Sequence, residues 1–180
     1  MWVYVLFGNR TEGTARIARA IAAAVDWSNE DRARAAAEVD PSAIRTPGVI
    51  FLGCAAGGSE LDRSIRRFLD HLPARTFYAS SFAVFDTRTD PVPRVAGSGV
   101  RRLRRAVVHR GGRLVSPGES FYTPPGTERV PTAELDRARS WGYGTIATAV
   151  RQFHDPEVRS GVLSIEVRHE PWGIPTLAAP

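Results

Sequence analysis

Trp2–Phe7 (WVYVLF) is apolar at every position and rich in aromatic and β-branched side chains. A strand with one wet face alternates apolar and polar residues. An unbroken apolar run marks a strand covered on both faces, the situation of a parallel sheet flanked by helices. Parallel neighbours cannot be joined by a tight turn, so each strand must be followed by a crossover, usually helical. This one run therefore commits the chain to alternating strands and helices, and the rest of the sequence supplies them.

A polar turn, Gly8-Asn9-Arg10-Thr11-Glu12-Gly13-Thr14, follows the first strand. Ile17, Ala20, Ile21, Ala24 and Val25 then fall at helical spacing. After a charged connection, Ala35–Val39 is the candidate second strand, although its alanine run also suits a helix. Val49–Cys54 (VIFLGC) is a second buried strand. The small-residue turn Ala55–Ser59 leads into a helix with Leu61, Ile65, Phe68, Leu69 and Leu72 on one face. Ser81–Asp86 is the next strand, and Thr87–Ser98 is expected as a polar loop. Val100, Leu103, Val107 and Val108 mark a helix stopped by Gly111-Gly112, as a C-terminal glycine should. Arg113–Phe121 holds a strand broken at Pro117-Gly118. Pro131–Phe153 reads as a helix anchored by Leu135, Ala138, Trp141 and Ile146, with Gly142 and Gly144 as candidate kinks. No internal repeat is visible.

The chain has 180 residues, the size of one domain or one domain with an appendage. With 43% hydrophobic and 24% charged residues it is not a disordered chain. No apolar run approaches a membrane span, and no basic lead-in suggests a signal peptide. Cys54 is alone, which excludes an internal disulfide or a multi-cysteine zinc site and predicts a reducing, cytoplasmic setting. The four histidines show no metal-ligand spacing. The net charge is +5 and every basic side chain is Arg. That bias fits genome composition as well as function, so nucleic acid is not the expected partner.

Ligands of open parallel sheets bind beyond the carboxyl ends of the strands. The candidate site therefore lies on the turns Gly8–Thr14, Ala55–Glu60 and Thr87–Gly97. The first joins a strand to a helix amino end, where unpaired N–H groups and the helix dipole favour a phosphate. Asn9, Thr11 and Thr14 add side-chain donors, and the same residues serve equally as helix caps. The turn is neither a Walker loop nor a G-x-G-x-x-G fingerprint.

The ordered set of segments resembles the flavodoxin family over roughly residues 2–150. VYVLFGNRTEGTARIARAI is similar to that family's first strand and its S/T-x-T-G-x-T phosphate loop, with Asn9, Thr11 and Thr14 on the hydroxyl positions. VIFLGCAAGGSELDRSIRRFLDHL resembles its third strand, flavin loop and helix. FAVFDTRTD, Gly97-Ser98-Gly99, and PGESFYT followed by ELDRARSWG resemble its second half. The resemblance implies a three-layer α/β fold with a five-stranded parallel sheet, order 2-1-3-4-5, and helices on both faces. It implies FMN bound by Asn9, Arg10, Thr11, Gly13 and Thr14 around the phosphate and by Ala55, Ala56, Gly57, Gly58, Thr87 and Arg88 around the ring. The function implied is electron transfer or a small FMN-dependent oxidoreductase, working with a redox partner protein or a small-molecule acceptor. The alternative is a flavodoxin-fold domain without flavin, acting as a binding or scaffold module.

Two departures stand out. Asn9 and Glu12 replace the family's usual hydroxyl and glycine. A carboxylate about 5 Å from a phosphate costs roughly 3 kcal/mol at an effective dielectric near 20, so an inward Glu12 would oppose binding. The ring loops Ala55–Glu60 and Thr87–Val95 contain no aromatic residue; Arg88 or Arg94, being flat, is the candidate stacking group. Asp86 and Asp90, on the third turn, serve as turn caps or as hydrogen-bonding groups near the ring. Cys54 reads as a small core residue. Arg101, Arg102, Arg104 and Arg105 form a solvated helix face or a docking surface for an acidic partner or nucleic acid.

The flavodoxin-like domain is assigned to residues 1–153 and an extension to 154–180. Within the extension Leu163, Ile165 and Val167 alternate with Ser164, Glu166 and Arg168, the period of a half-buried strand. An edge strand or a dimer contact is expected there.

Overall fold

The computed structural model describes residues 1–8, 11–25, 33–57, 60–90, 98–124 and 129–154. The expected strand and dimer contact of the extension lie outside them, as do Asn9, Arg10, Gly58 and Arg94. The elements run β1 (Trp2–Phe7), α1 (Glu12–Ala23), β2 (Ala33–Ala35), β3 (Gly48–Ala55), α2 (Arg63–His71), α3 (Ala74–Ala79), β4 (Ser80–Arg88), α4 (Ser98–His109), β5 (Arg113–Leu114), β6 (Glu119–Tyr122) and α5 (Thr132–His154).

All the pairings are parallel and the sheet order is β2-β1-β3-β4-β5, with β6 also on β4. β5 pairs with Ser81 and Phe82, whereas β6 pairs with Phe85–Arg88. The fifth position is thus a single strand path interrupted at Pro117-Gly118. Gly118 takes φ +96°, and a Cβ there would meet Val84 and Val100 side chains at 3.0 and 2.7 Å.

Alternation along each strand divides the core. Val3, Val5, Phe7, Val49, Phe51, Ala83 and Phe85 face α1 and α5. Tyr4, Leu6, Ile50, Leu52, Phe82 and Val84 face α2 and α4. On the first face Phe51, Phe85 and Phe121 meet Trp141 edge-on, with centroids 5.5–6.2 Å apart, the geometry their quadrupoles prefer. The Phe85 ring lies directly over Gly53, where an added Cβ would come within 2.0 Å of it.

Several boundaries differ from the sequence expectation. β2 lies at Ala33–Ala35 rather than Ala35–Val39, because its register is set by pairing with Val5–Phe7; residues 36–38 turn away as 3-10 helix. The helix expected to run through Leu72 ends at His71, and Pro73 opens α3. β4 continues two residues beyond Asp86, so Thr87 and Arg88 are strand residues rather than loop. α5 runs unbroken through both glycines. Gly142 is where α5 crosses α1: a Cβ would sit 3.1 Å from Ile21 Cγ2 and 3.2 Å from its carbonyl oxygen.

α5 also closes over β6. The Arg137 guanidinium lies 4.5 Å from the Phe121 ring centroid. It donates to Glu119 Oε1 and Glu134 Oε2, both at 2.6 Å, and to the Ser120 carbonyl at 2.7 Å. Glu134 Oε2 in turn accepts the Tyr122 N–H at 2.8 Å.

Candidate functional site

The carboxyl ends of β1, β3 and β4 bring the three expected turns to one edge. Thr11 is the N-cap of α1, extended at φ −150° and ψ 139°, and its Oγ1 accepts the Thr14 N–H at 3.3 Å. Capping is therefore realised, but the hydroxyls do more. Thr14 Oγ1 lies 2.7 Å from Thr11 Oγ1 and 2.6 Å from Thr87 Oγ1. Thr14 and Thr87 are buried, at 1% and 4% exposure, whereas Thr11 is exposed. Alternation along β4 explains the long reach: Thr87 shares the α1 side with Ala83 and Phe85.

Three hydroxyls carry three protons, and the two bonds among them use two. When Thr87 donates to Thr14 and Thr14 to Thr11, the third proton lies on Thr11, the exposed end. The N–H groups of Glu12 and Gly13, the first two of α1, precede any intrahelical acceptor. Gly13 allows the turn to pack closely, since a Cβ there would meet Thr123 Cβ at 3.0 Å. Thr123, which follows β6, thus buttresses the first turn, and its N–H donates to the Arg88 carbonyl at 2.8 Å.

Glu12 points away. Its Oε1 lies 2.9 Å from Arg19 Nη1 and 3.5 Å from Arg16 Nε, on the exposed face of α1. The inward repulsion considered from sequence does not arise. A carboxylate on the first turn also interacts favourably with the helix dipole.

In the second turn Ala55 ends β3 and the Ala56 N–H donates to the Thr87 carbonyl at 2.7 Å. Gly57 is exposed, with open space where a Cβ would be. Arg102 Nη2 donates to the Ala56 carbonyl at 3.1 Å. This residue, read from sequence as part of a solvated helix face or a docking surface, brings a flat, half-buried cation onto the second turn. Arg88 is half-buried at the end of β4.

Asp86 is not on a turn. It is a fully buried β4 residue whose Oδ2 accepts the Val100 N–H of α4 at 2.9 Å, while Oδ1 has no partner among the described residues. Gly99 permits this contact, because a Cβ would sit 2.8 Å from Asp86 Oδ2 and 3.0 Å from Cys54 Sγ. Cys54 is buried at 2% exposure. Asp62 was not singled out from sequence. It caps α2 by accepting the Ser64 and Ile65 N–H groups and packs on Gly8, where a Cβ would be 2.6 Å from its Cγ. Its signal was an Asp three residues before Ile65, the N-cap spacing for a run continued by Phe68 and Leu69. No group of three or more His, Cys, Asp or Glu suited to a metal ion occurs among the described residues.

No protein-family model matches the sequence, and no curated protein matches it. Solved structures do. A flavodoxin from an archaeon aligns over 82% of this chain and 98% of its own, with TM-score 0.65 at 13% identity. Oxidised flavodoxin 2 from Bacillus cereus aligns over 85% of this chain and all of its own, with TM-score 0.59 at 17% identity. An NADH:FMN oxidoreductase in its apo form aligns over 87% of this chain and 92% of its own, with TM-score 0.55 at 18% identity. The chain has a flavodoxin-like fold, with the sheet order expected from sequence.

Proposed function

We propose that residues 1–153 form an FMN-binding redox domain, an electron carrier or a small flavin-dependent oxidoreductase. The hydroxyl chain Thr87–Thr14–Thr11 carries the reading, because it ends on an exposed hydroxyl at a helix amino end from which Glu12 is turned away, and the donor order Thr87 to Thr14 to Thr11 would present a proton there. Thr11, the N–H groups of Glu12 and Gly13, and Thr14 acting through Thr11 would hold the phosphate, with Asn9 and Arg10 completing the turn. Ala55, Ala56, Gly57 and Gly58 would border the ring on one side, and Thr87 and Arg88 on the other. Arg102 and Arg88 are the flat groups available to lie against the ring. Bound FMN would supply the one- or two-electron chemistry; the protein's part is to orient it and leave one face open to a partner or small acceptor. Flavodoxins and an NADH:FMN oxidoreductase among the structural neighbours support this reading.

Titration of flavin into the purified protein, followed by absorbance and quenching of flavin fluorescence, tests it. FMN is expected to bind at least tenfold more tightly than riboflavin, as loss of the charge-assisted phosphate bonds requires. Thr11→Ala and Thr14→Ala should each erode that preference. Equal affinity for the two flavins would refute the phosphate site. Binding of neither would favour a binding or scaffold module, the reading that the lack of aromatic side chains at Ala55–Gly57 and Thr87–Asp90 supports.

A further inference from the structure

The crossover from β2 to β3 is spare. A helix normally makes the crossover between parallel strands of one sheet, but residues 36–47, which pass from β2 across β1 to β3, contribute only two single turns of 3-10 helix, Ala36–Glu38 and Pro41–Ala43. The absent bulk leaves a groove of about 810 Å³ between this crossover and α2, a volume typical of small-molecule sites.

Arg63 and Arg67 bring positive charge to the α2 wall, next to the Asp62 carboxylate that caps this helix, and Asp40 stands on the facing wall. Arg63, Arg67 and His71 recur at every fourth position of α2 and line one wall. They share a helix face and span about 12 Å at 1.5 Å per residue. All three are exposed. The adjacent Arg66 reaches Glu60, whereas Arg63 and Arg67 have no ion-pair partner among the described residues. His71 Nδ1–H donates to the Arg67 carbonyl at 2.8 Å, which holds the ring against the last turn of α2. Asp40 lines the facing wall. Its carboxylate takes the Ser42 N–H at 2.9 Å and the Ser42 hydroxyl at 2.8–2.9 Å, bonds that hold its pKa below the ordinary value and keep it charged. Ala37, Val39 and Pro41 supply apolar surface on the crossover side.

An inorganic anion would use the arginines alone and leave the apolar surface and Asp40 to water. An uncharged apolar molecule would strip water from both walls and return no hydrogen bonds. A ligand that answers all three surfaces has phosphate at one end, hydroxyl donors within reach of a carboxylate, and a flat apolar body. The geometry points to this groove as a binding site for a nucleoside phosphate, bordered by Asp62 where that residue packs on Gly8, distinct from the Thr11–Thr14 hydroxyls and independent of the flavin assignment.

Isothermal titration of the full chain with ADP, pyrophosphate and adenosine, with and without FMN, is the test. ADP is expected to bind about tenfold more tightly than either fragment. Arg63→Ala and Arg67→Ala should each weaken it about tenfold, the effect of one exposed charge-assisted contact. Arg67→Lys should recover part of the loss, and Asp40→Asn should weaken ADP without weakening pyrophosphate. Thr14→Ala should leave ADP binding unchanged, and FMN should not compete. Circular dichroism checks that each exposed-site variant is folded. Pyrophosphate binding as tightly as ADP, displacement of ADP by FMN, unchanged affinity in the arginine variants, or no ADP binding at millimolar concentration would each overturn the assignment.

Discussion

The hydroxyl chain lends itself to a double-mutant cycle with an unequal outcome. In Thr14→Val the side chain keeps its shape but both hydroxyl bonds vanish. Exposed Thr11 regains water, whereas Thr87, at 4% exposure, keeps a buried hydroxyl with no partner. Such an orphan costs about 1–3 kcal/mol, or about 2–12 °C in Tm for a chain of this size. In Thr87→Val, Thr14 still has Thr11, 2.7 Å away, so only one net bond is lost, about 0.5–1.5 kcal/mol. The double variant leaves no buried hydroxyl unpartnered and should be less destabilised than Thr14→Val alone. Urea and thermal unfolding of the four proteins by circular dichroism, without flavin, measure the cycle. A double variant whose loss equals the sum of the singles, or a Thr87→Val loss larger than that of Thr14→Val, would refute the buried chain.

Gly53→Ala should destabilise by about 1–3 kcal/mol, because the methyl collides with the Phe85 ring; Gly53→Ala/Phe85→Leu should lose less than the sum of its single variants in the same unfolding assay. Glu12→Gln should change FMN affinity no more than about fivefold, since its exposed ion pairs are weak and turned from the phosphate turn; a larger gain in binding would restore the inward charge. The Asp40 carboxyl is held low first by the Ser42 N–H and then by its hydroxyl. With its folded pKa depressed, its contribution is present above the ordinary carboxylate range and is lost as pH falls through the folded value. In Ser42→Ala an NMR titration should find the Asp40 pKa moved up toward the ordinary value, and no upward movement would refute the hydroxyl's share.

The buried strands were legible as short, β-branched and aromatic apolar runs bounded by turns, and the sheet order was what the resemblance to flavodoxins implied. What escaped depended on partners distant in sequence. Thr87 looks like a loop residue beside Arg88 and Asp90, and its strand character follows from Ala55 across the ladder and Thr14 on α1. The alanine-rich β2 has no β-branched residue to mark it, and only pairing with β1 selects its three positions. Gly142 predicts a break by propensity alone, yet contact with Ile21 makes it a packing residue. Of the expected site residues, Thr11, Gly13, Thr14, Ala55, Ala56, Gly57, Thr87 and Arg88 do gather at one edge of the sheet. Arg102 and Asp62 were missed because a helix face and a helix cap carry no functional signature until the neighbouring strands are in place.

The clasp between α5 and β6 bears on whether a further strand can add to this side of the sheet. Thr123 donates to Arg88 on β4, so alternation turns the backbone groups of Ser120 and Tyr122 outward, toward the side where another strand would add. The Ser120 N–H and carbonyl are taken by Glu119 and Arg137, and the Tyr122 N–H by Glu134. Side chains thus stand in for a neighbouring strand. An incoming chain, whether from this protein's own extension or from a second molecule, would have to break the Arg137–Glu134 fork before it could hydrogen-bond to β6. The fork thus guards β6 against templated pairing together with Pro117 and Pro124, which stand just before and just after the strand.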